Sequence, residues 1–253
     1  MVDMEKLHER LFEMGSIVID IFENNNINYM LAYGTLLGAV RHGGFIPWDD
    51  DFDLMVFDED YDKAVSVLKK FLPKNLAVED REIEPKFYHE WIRVKDLESV
   101  TECETSSDDG VYKLKGLQVD IYRGYRVRRG DLSKFQYDMN ERYLNRKLQA
   151  KIITGDVAQK KREQKKDECE ELDAFLEKEA KDYDDEVIAL LLFYKCKKLE
   201  ISDVFPLKEY IFNAKRVKGP KNADAVLRDI YGDYLSLPPI ENRVSHFSKV
   251  EYL

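Results

Sequence analysis

Residues 33–53 read Tyr33-Gly34-Thr35-Leu36-Leu37-Gly38-Ala39-Val40-Arg41-His42-Gly43-Gly44-Phe45-Ile46-Pro47-Trp48-Asp49-Asp50-Asp51-Phe52-Asp53. Gly34-Thr35 is a small-residue turn that lets an anion approach backbone amides. Leu36 to Arg41 then reads as a brief helix, stopped at Gly43-Gly44. Four carboxylates follow within five positions, at Asp49, Asp50, Asp51 and Asp53. Like charges this dense repel one another unless a cation offsets them. From Phe52 to Phe57 the residues are strand formers. In a strand, side chains alternate faces, so Asp49, Asp51 and Asp53 share one side and Asp50 takes the other. Asp51 and Asp53 then lie roughly 6.5–7 Å apart at Cα, within joint reach of one divalent ion. A solvated acidic turn would use the same aspartates. It would require neither the glycine turn before them nor the apolar strand after them, and a magnesium site for phosphate chemistry is the preferred reading.

Composition narrows the partners. The chain has 253 residues, 44% hydrophobic and 36% charged, with a net charge of −10 and an isoelectric point near 5.1. A general nucleic-acid binder would show a basic face, so no nucleic acid is expected, while a nucleotide remains open because a metal can meet its charge locally. Cys103, Cys169 and Cys196, and His8, His42, His89 and His246, are scattered without ligand spacing, which argues against a disulfide framework and against zinc. Met1 opens onto a charged helix and not a signal peptide, and no apolar run is long enough to cross a bilayer. The expected location is the cytoplasm, with contact at a membrane surface left open.

Around the acidic stretch, Met4, Leu7, Leu11, Met14, Val18 and Ile21 mark an amphipathic helix, followed by a strand from Asn28 to Tyr33. Asp58-Glu59-Asp60 supplies N-cap chemistry for a helix halted by Pro73, and strand-like runs fall around Leu76 to Val78 and Phe87 to Val94. A polar loop is expected at residues 106–110. Leu117 to Tyr122 alternates cleanly, with Leu117, Val119 and Ile121 inward and Asp120 on the other face beside Gln118 and Tyr122. From Ser133 the spacing turns helical, and a charged stretch from Gln159 to Lys181 is either a solvated helix face or a contact for anionic lipid or a polyanionic acceptor. Val187 to Leu199 reads as a more apolar helix, and the remainder as loop-rich.

The chain resembles the LicD family, which includes the phosphocholine transferases and the fukutin-type proteins. The resemblance rests on residues 33–42 and 44–53. It continues through Arg93-Val94-Lys95-Asp96, Val119-Asp120-Ile121, Val204-Phe205-Pro206-Leu207, Pro220-Lys221-Asn222, Tyr231-Gly232-Asp233-Tyr234, Pro238-Pro239 and Arg243 to His246. It implies an α/β (α+β) fold: a nucleotidyltransferase-like mixed sheet with flanking helices, then a mainly helical C-terminal half. The expected division is a catalytic core over residues 1–130, a helical region over 131–200 for acceptor or membrane-surface contact, and a loop-rich segment over 201–253 that completes the site.

Carried over residue by residue, Asp51, Asp53 and Asp120 resemble the metal carboxylates, and Gly34 and Thr35 the phosphate turn. Asp49 lies beside them as a second ligand or a proton acceptor. Arg41 and His42 are candidates for phosphate contact or for a solvated helix end; Arg93 and Lys95 form a cationic wall or salt bridges to the acidic cluster. Lys221, Arg243 and His246 come from the loop-rich end, where functional residues often sit. Trp48, Tyr122 and Tyr231 are candidates for a choline pocket through cation–π contact, against ordinary packing. The implied activity is a magnesium-dependent (or manganese-dependent) transfer of phosphocholine or a similar phospho-alcohol. The donor would be CDP-choline or a related CDP-alcohol, and the acceptor a sugar hydroxyl of a glycan or lipid-linked saccharide at the inner membrane face. Nucleotidyl transfer, a non-catalytic nucleotide-binding module and a plain phosphohydrolase are the other readings.

Overall fold

Helix α1 (Met4–Asn24) starts where the Asp3 carboxylate accepts the Lys6 amide at 3.2 Å, and it buries Leu7, Leu11, Met14, Val18 and Ile21 of the stripe its periodicity predicts. Gly15 is where this helix is pressed onto the acidic stretch: a Cβ there would stand 2.6 Å from the ring of Phe52. The computed structural model describes residues 2–103, 111–179, 185–192 and 195–253; the loop expected at 106–110 lies outside them.

The first half of the chain continues as β1 (Tyr29–Leu31), α2 (Tyr33–Arg41), β2 (Asp53–Phe57), α3 (Asp58–Phe71), β3 (Leu76–Glu79), β4 (Ile92–Asp96), β5 (Ser99–Glu102) and β6 (Gln118–Arg128). The second half adds α4 (Leu132–Gln149), α5 (Gly155–Glu179), β7 (Glu186–Leu192), β8 (Lys195–Glu200), α6 (Ile201–Val204), β9 (Lys208–Phe212), β10 (Lys215–Gly219), α7 (Ala223–Tyr231) and β11 (Lys249–Tyr252). One mixed sheet runs β1-β2-β6-β4-β3, with β7 paired to the far half of β6 and β8 to β7. Within it β2 and β6 are parallel and every other pairing is antiparallel.

Strand alternation gives this sheet two unlike faces. Leu54, Val56, Val94, Val119 and Ile121 are buried in one cluster with the apolar sides of α1 and α3. Each such side chain contributes about 1.5–3 kcal/mol on full burial. On the other face, register sets Asp53 beside Asp120, Asp120 beside Arg93, and Arg93 beside Glu79. That charged row crosses four strands.

The fold is the expected mixed sheet with flanking helices, and four local readings are corrected. Helix α2 begins at Tyr33, not Leu36: the Ala32 carbonyl already accepts the Leu36 amide at 3.0 Å. Gly34-Thr35 therefore forms the first helical turn, entered through Tyr33 at φ 43°. The run from Phe87 becomes strand only at Ile92, because Phe87 and Tyr88 instead pack against Tyr112 in a cluster of their own. Val187 to Leu199 is not a helix but part of the β7–β8 hairpin. Val187, Ile188, Ala189 and Leu190 are all buried, and a short apolar run covered on both sides carries no period that separates strand from helix. The C-terminal stretch is also more ordered than loop-rich implies: β9 pairs β10, and β11 returns to pair β5. Among the described residues no helix is long and apolar enough to cross a membrane.

Candidate active site

The open face of the sheet floors a cavity of about 500 Å³ lined by Tyr33, Gly34, Asp49, Asp51, Asp53, Trp91, Arg93, Lys95, Lys115, Gln118, Asp120, Tyr122, Tyr231, His246 and Phe247, among others. Asp53 is the first residue of β2, and its amide donates to Thr35 Oγ1 at 2.8 Å, so the first turn of α2 fixes where the acidic strand starts. The N-terminus of α2 has no side-chain cap, which leaves its first amides available to an anion. Gly34 stands at that N-terminus because a Cβ would lie 2.5 Å from Asp49 Oδ2. Asp49 is held from behind through its carbonyl, 2.7 Å from His8 Nε2.

His246 arrives from the far end of the chain by two anchors. Strand β11 pairs Lys249 with Glu102 on β5. Asp50, which is not among the residues lining the cavity, takes the Ser245 hydroxyl, the His246 Nδ1 at 2.7 Å and the Phe247 amide at 2.8 Å. Burial pushes the Asp50 carboxyl up, but these bonds more than offset it and hold it below the ordinary range. The Asp50 hydrogen bond in turn raises His246 to about 9 against the opposing effect of burial, with Asp51 adding to the rise at 3.6 Å.

The three other aspartates behave oppositely. Burial first, then the charges of Asp50, Asp49 and Asp120, push Asp51 up to about 8. Asp53 is raised well above its usual range by burial and then by Asp51 and Asp120, and Asp49 reaches about 6 through burial and Asp50. Carboxyls crowded this way ionise together only when a cation joins them. Asp51, Asp53 and Asp120 are oxygen donors of the kind a hard divalent ion takes. Asp50, Asp51 and His246 also have ligand atoms all within 4.8 Å of one another. Asp50, however, already accepts three hydrogen bonds there, so that group is read as the anchor of the C-terminal loop.

Asp120 is oriented by its neighbours: Trp91 Nε1 donates to Oδ1 at 2.7 Å, Gln118 Nε2 to Oδ2 at 2.9 Å, and Arg93 Nε approaches Oδ1 at 3.4 Å. Arg93 is itself steered by Glu79 at 3.6 Å and by His89 Nε2 at 3.0 Å. Lys95 donates to Gln118 Oε1 at 2.9 Å; burial and then Arg93 lower it to about 8, with Glu79 and Asp120 pulling the other way. Aromatic rings complete the wall. Trp91 lies 4.9 Å from Tyr122, and Tyr122 meets Tyr33 edge-on at 4.6 Å.

Of the residues singled out from sequence, Gly34, Asp49, Asp51, Asp53, Arg93, Lys95, Asp120, Tyr122, Tyr231 and His246 line this cavity. Thr35 is buried behind it with its hydroxyl oxygen accepting the Asp53 amide, a positioning contact and not an anion contact. Arg41, His42, Trp48 and Arg243 gather elsewhere: Arg41 Nη1 donates to the Tyr234 carbonyl at 2.6 Å and its Nε to His42 Nε2 at 3.0 Å, while the Arg243 guanidinium lies 4.9 Å from the Trp48 ring. Lys221 is exposed, with its amide on the Val204 carbonyl, and is not among the lining residues. Trp91 and Gln118 were missed as site residues, although Trp91, just before β4, lies two positions from Arg93 and Gln118, on β6, two from Asp120. Lys115 and Tyr112, outside the regular elements, carried no such signal.

Residues 26–107 match the family model described as LicD/FKTN/FKRP, nucleotidyltransferase domain. The chain is 32% identical over 110 residues to the lipopolysaccharide cholinephosphotransferase LicD of Haemophilus influenzae, a stretch covering 42% of this chain and 39% of that protein. It is 46% identical over 50 residues to the ribitol 5-phosphate transferase FKRP of Homo sapiens, covering 20% of this chain and 10% of that protein. An uncharacterized protein of Rickettsia typhi is 40% identical over 67 residues, 26% of this chain and 22% of its own length. The chain thus spans well under half the length of these relatives. The matched region holds α2, the aspartates from Asp49 to Asp53, and Arg93 and Lys95, the residues around which the cavity is built. Over residues 26–107 the chain is thus similar to the LicD/FKTN/FKRP family.

Proposed function

We propose that the cavity transfers a phospho-alcohol, with phosphocholine the leading candidate, from a CDP-linked donor to a sugar hydroxyl of a glycan precursor. The observation that carries the reading is the meeting of three elements on one face: crowded carboxylates, an uncapped helix N-terminus at Gly34, and the cations Arg93 and Lys95. The LicD and FKRP relatives, a cholinephosphotransferase and a ribitol 5-phosphate transferase, support the same class of reaction.

Asp51, Asp53 and Asp120 would hold a magnesium ion, or manganese in its place. When bound, the metal neutralises donor pyrophosphate charge and stabilises the leaving phosphate. The chain's own groups do the rest. The first amides of α2 receive phosphate oxygens, and Arg93 and Lys95 balance charge on the opposite wall. Trp91, Tyr122 and Tyr33 present ring faces and edges suited to a quaternary ammonium head. The acceptor oxygen attacks the phosphorus bearing the alcohol, the bond from that phosphorus to the CMP oxygen breaks, and CMP departs. Asp49, held near 6, is suited to take the hydroxyl proton close to neutrality. Positioning and charge neutralisation supply most of the rate.

CDP-choline labelled on both cytidine and choline, incubated with magnesium and a glycan acceptor, tests this: choline label is expected on the acceptor and cytidine label in CMP. The second reading is nucleotidyl transfer, favoured by the family model's description of residues 26–107 as a nucleotidyltransferase domain; it predicts cytidine label on the acceptor.

A further inference from the structure

The loop that follows α7 exposes Leu235, Leu237, Ile240 and Val244 at 57%, 50%, 77% and 65%. Four large aliphatic side chains are thus exposed within ten residues, around the stiff Pro238-Pro239 pair. Both ends of the loop reach the donor cavity, Tyr231 before it and His246 after it.

Two arginines stand at the base of the same loop. Arg41 donates to the Tyr234 carbonyl at 2.6 Å, and Arg243 Nε donates to the Pro238 carbonyl at 2.9 Å. A continuous path of contacts joins them: Arg41 to His42 at 3.0 Å, His42 edge-on to Trp48 at 6.3 Å, and Trp48 beneath Arg243 at 4.9 Å. The two guanidiniums are close enough for Arg243 to act on Arg41 as a like charge. Among the described residues neither forms an ion pair, whereas most arginines of this acidic chain do, as Arg10, Arg93, Arg123, Arg126, Arg129, Arg146 and Arg162 illustrate. Asp233 and Glu241 lie in the loop but bond neither arginine, and the Ser236 hydroxyl donates to Asp233 at 2.6 Å. Like charges held together by backbone carbonyls, with donors left over and no carboxylate, are built to meet an anion from outside.

We infer that the loop of residues 235–244, with Arg41 and Arg243 at its base, docks on an anionic phospholipid surface. The arginines meet lipid phosphates while Leu235, Leu237, Ile240 and Val244 enter the boundary of the acyl region. A soluble phosphate would explain the arginines but leave the aliphatic side chains without a partner; a bilayer accounts for both. The long charged helix α5, the earlier candidate for such a contact, is a poorer match because Arg162, Lys165 and Lys166 are each paired to a carboxylate. Docking by this loop would bring the cavity mouth to the membrane, where a lipid-linked acceptor presents its sugar. The docking itself does not depend on which group the cavity transfers.

The test is vesicle co-sedimentation with the full chain. Vesicles of equal parts phosphatidylcholine and phosphatidylglycerol are expected to bind it, pure phosphatidylcholine vesicles less, and added salt to weaken binding. Leu237→Ser with Ile240→Ser, both strongly exposed and so without effect on melting temperature, is expected to lower binding about tenfold or more. Arg243→Gln is expected to lower it about fivefold and to shrink the preference for phosphatidylglycerol. Turnover of a soluble donor by the Leu237→Ser, Ile240→Ser variant should be unchanged, which separates failure of docking from failure of the cavity's assignment. Absence of binding to the anionic vesicles, or binding indifferent to both variants, overturns the inference. Stabilisation by inorganic phosphate without vesicle binding also overturns it, reassigning the arginines to a soluble anion.

Discussion

Asp53→Asn is the perturbation that reads the crowded carboxylates most plainly. Asp53 and Asp120 are register partners on adjacent parallel strands, so their carboxylates are separated by about the strand spacing, ~5 Å. At an effective dielectric near 20, two unit charges at that distance repel by about 3 kcal/mol. Asparagine keeps the shape and removes the charge. In a metal chelator at pH 9, where the aspartates are driven to ionise, the variant is therefore expected to be more stable than the parent by up to about 3 kcal/mol. For a chain of this size that is a rise of roughly 6–12 °C in melting temperature.

The sign with pH follows from the raised carboxyls. Asp51 and Asp53 have folded pKa values above their unfolded values, so their contribution is complete below about pH 4 and is lost as pH rises through the folded value, about 8 for Asp51. The advantage of Asp53→Asn should accordingly be small at pH 5 and grow toward pH 9. Magnesium should remove most of that advantage: at about a hundred times its dissociation constant it stabilises the parent by ~2.7 kcal/mol, and the variant far less. Thermal melts with chelator and with magnesium at both pH values measure all of this. A variant less stable than the parent in chelator at pH 9, or one with an undiminished magnesium response, would refute the reasoning.

Three further substitutions probe the parts separately. Gly34→Ala drives a Cβ to 2.5 Å from Asp49 Oδ2, so it should displace that carboxylate and lower turnover by at least about tenfold while the melting temperature changes little; unchanged turnover would show that Asp49 has no part in the reaction. Lys95, lowered to about 8, is charged below that pH and neutral above it. The affinity of the magnesium-loaded protein for CDP-choline should thus fall between pH 7 and 9 by calorimetry, and Lys95→Arg should remove most of that fall; identical falls in both proteins would exclude Lys95 from donor binding. Asp50→Asn weakens the anchor of Ser245, His246 and Phe247, which should cost about 2–3 kcal/mol in urea unfolding and return His246 toward its ordinary pKa by NMR titration; an unmoved His246 would contradict the anchor.

What the sequence made legible follows strand and helix periods. The two-residue alternation was enough to turn Asp120 away from Val119 and Ile121, and the structure keeps that separation; it did not separate Asp50, which precedes β2 and has a carboxylate oxygen within 4.8 Å of one of Asp51. Register was not legible. The row Glu79-Arg93-Asp120-Asp53 joins four strands by pairings that the whole core decides, and no local pattern states which residue faces which. The start of α2 was misplaced because a strained entry at Tyr33 allows a helix to begin at a residue that by spacing belongs to the preceding strand. Val187 to Leu199 was misread because an apolar run short enough for a buried strand looks the same as a buried helix. Arg41 and Arg243 were each picked out singly, but their meeting across 202 positions of chain exists only in the folded molecule.

The central claim is that the phosphorus attacked in this cavity is the one bearing the alcohol. Doubly labelled CDP-choline, given with magnesium and a glycan acceptor, tests it most directly. Choline label on the glycan together with cytidine label in free CMP is the predicted result. Cytidine label on the glycan, or phosphocholine released equally fast with no acceptor present, would contradict it.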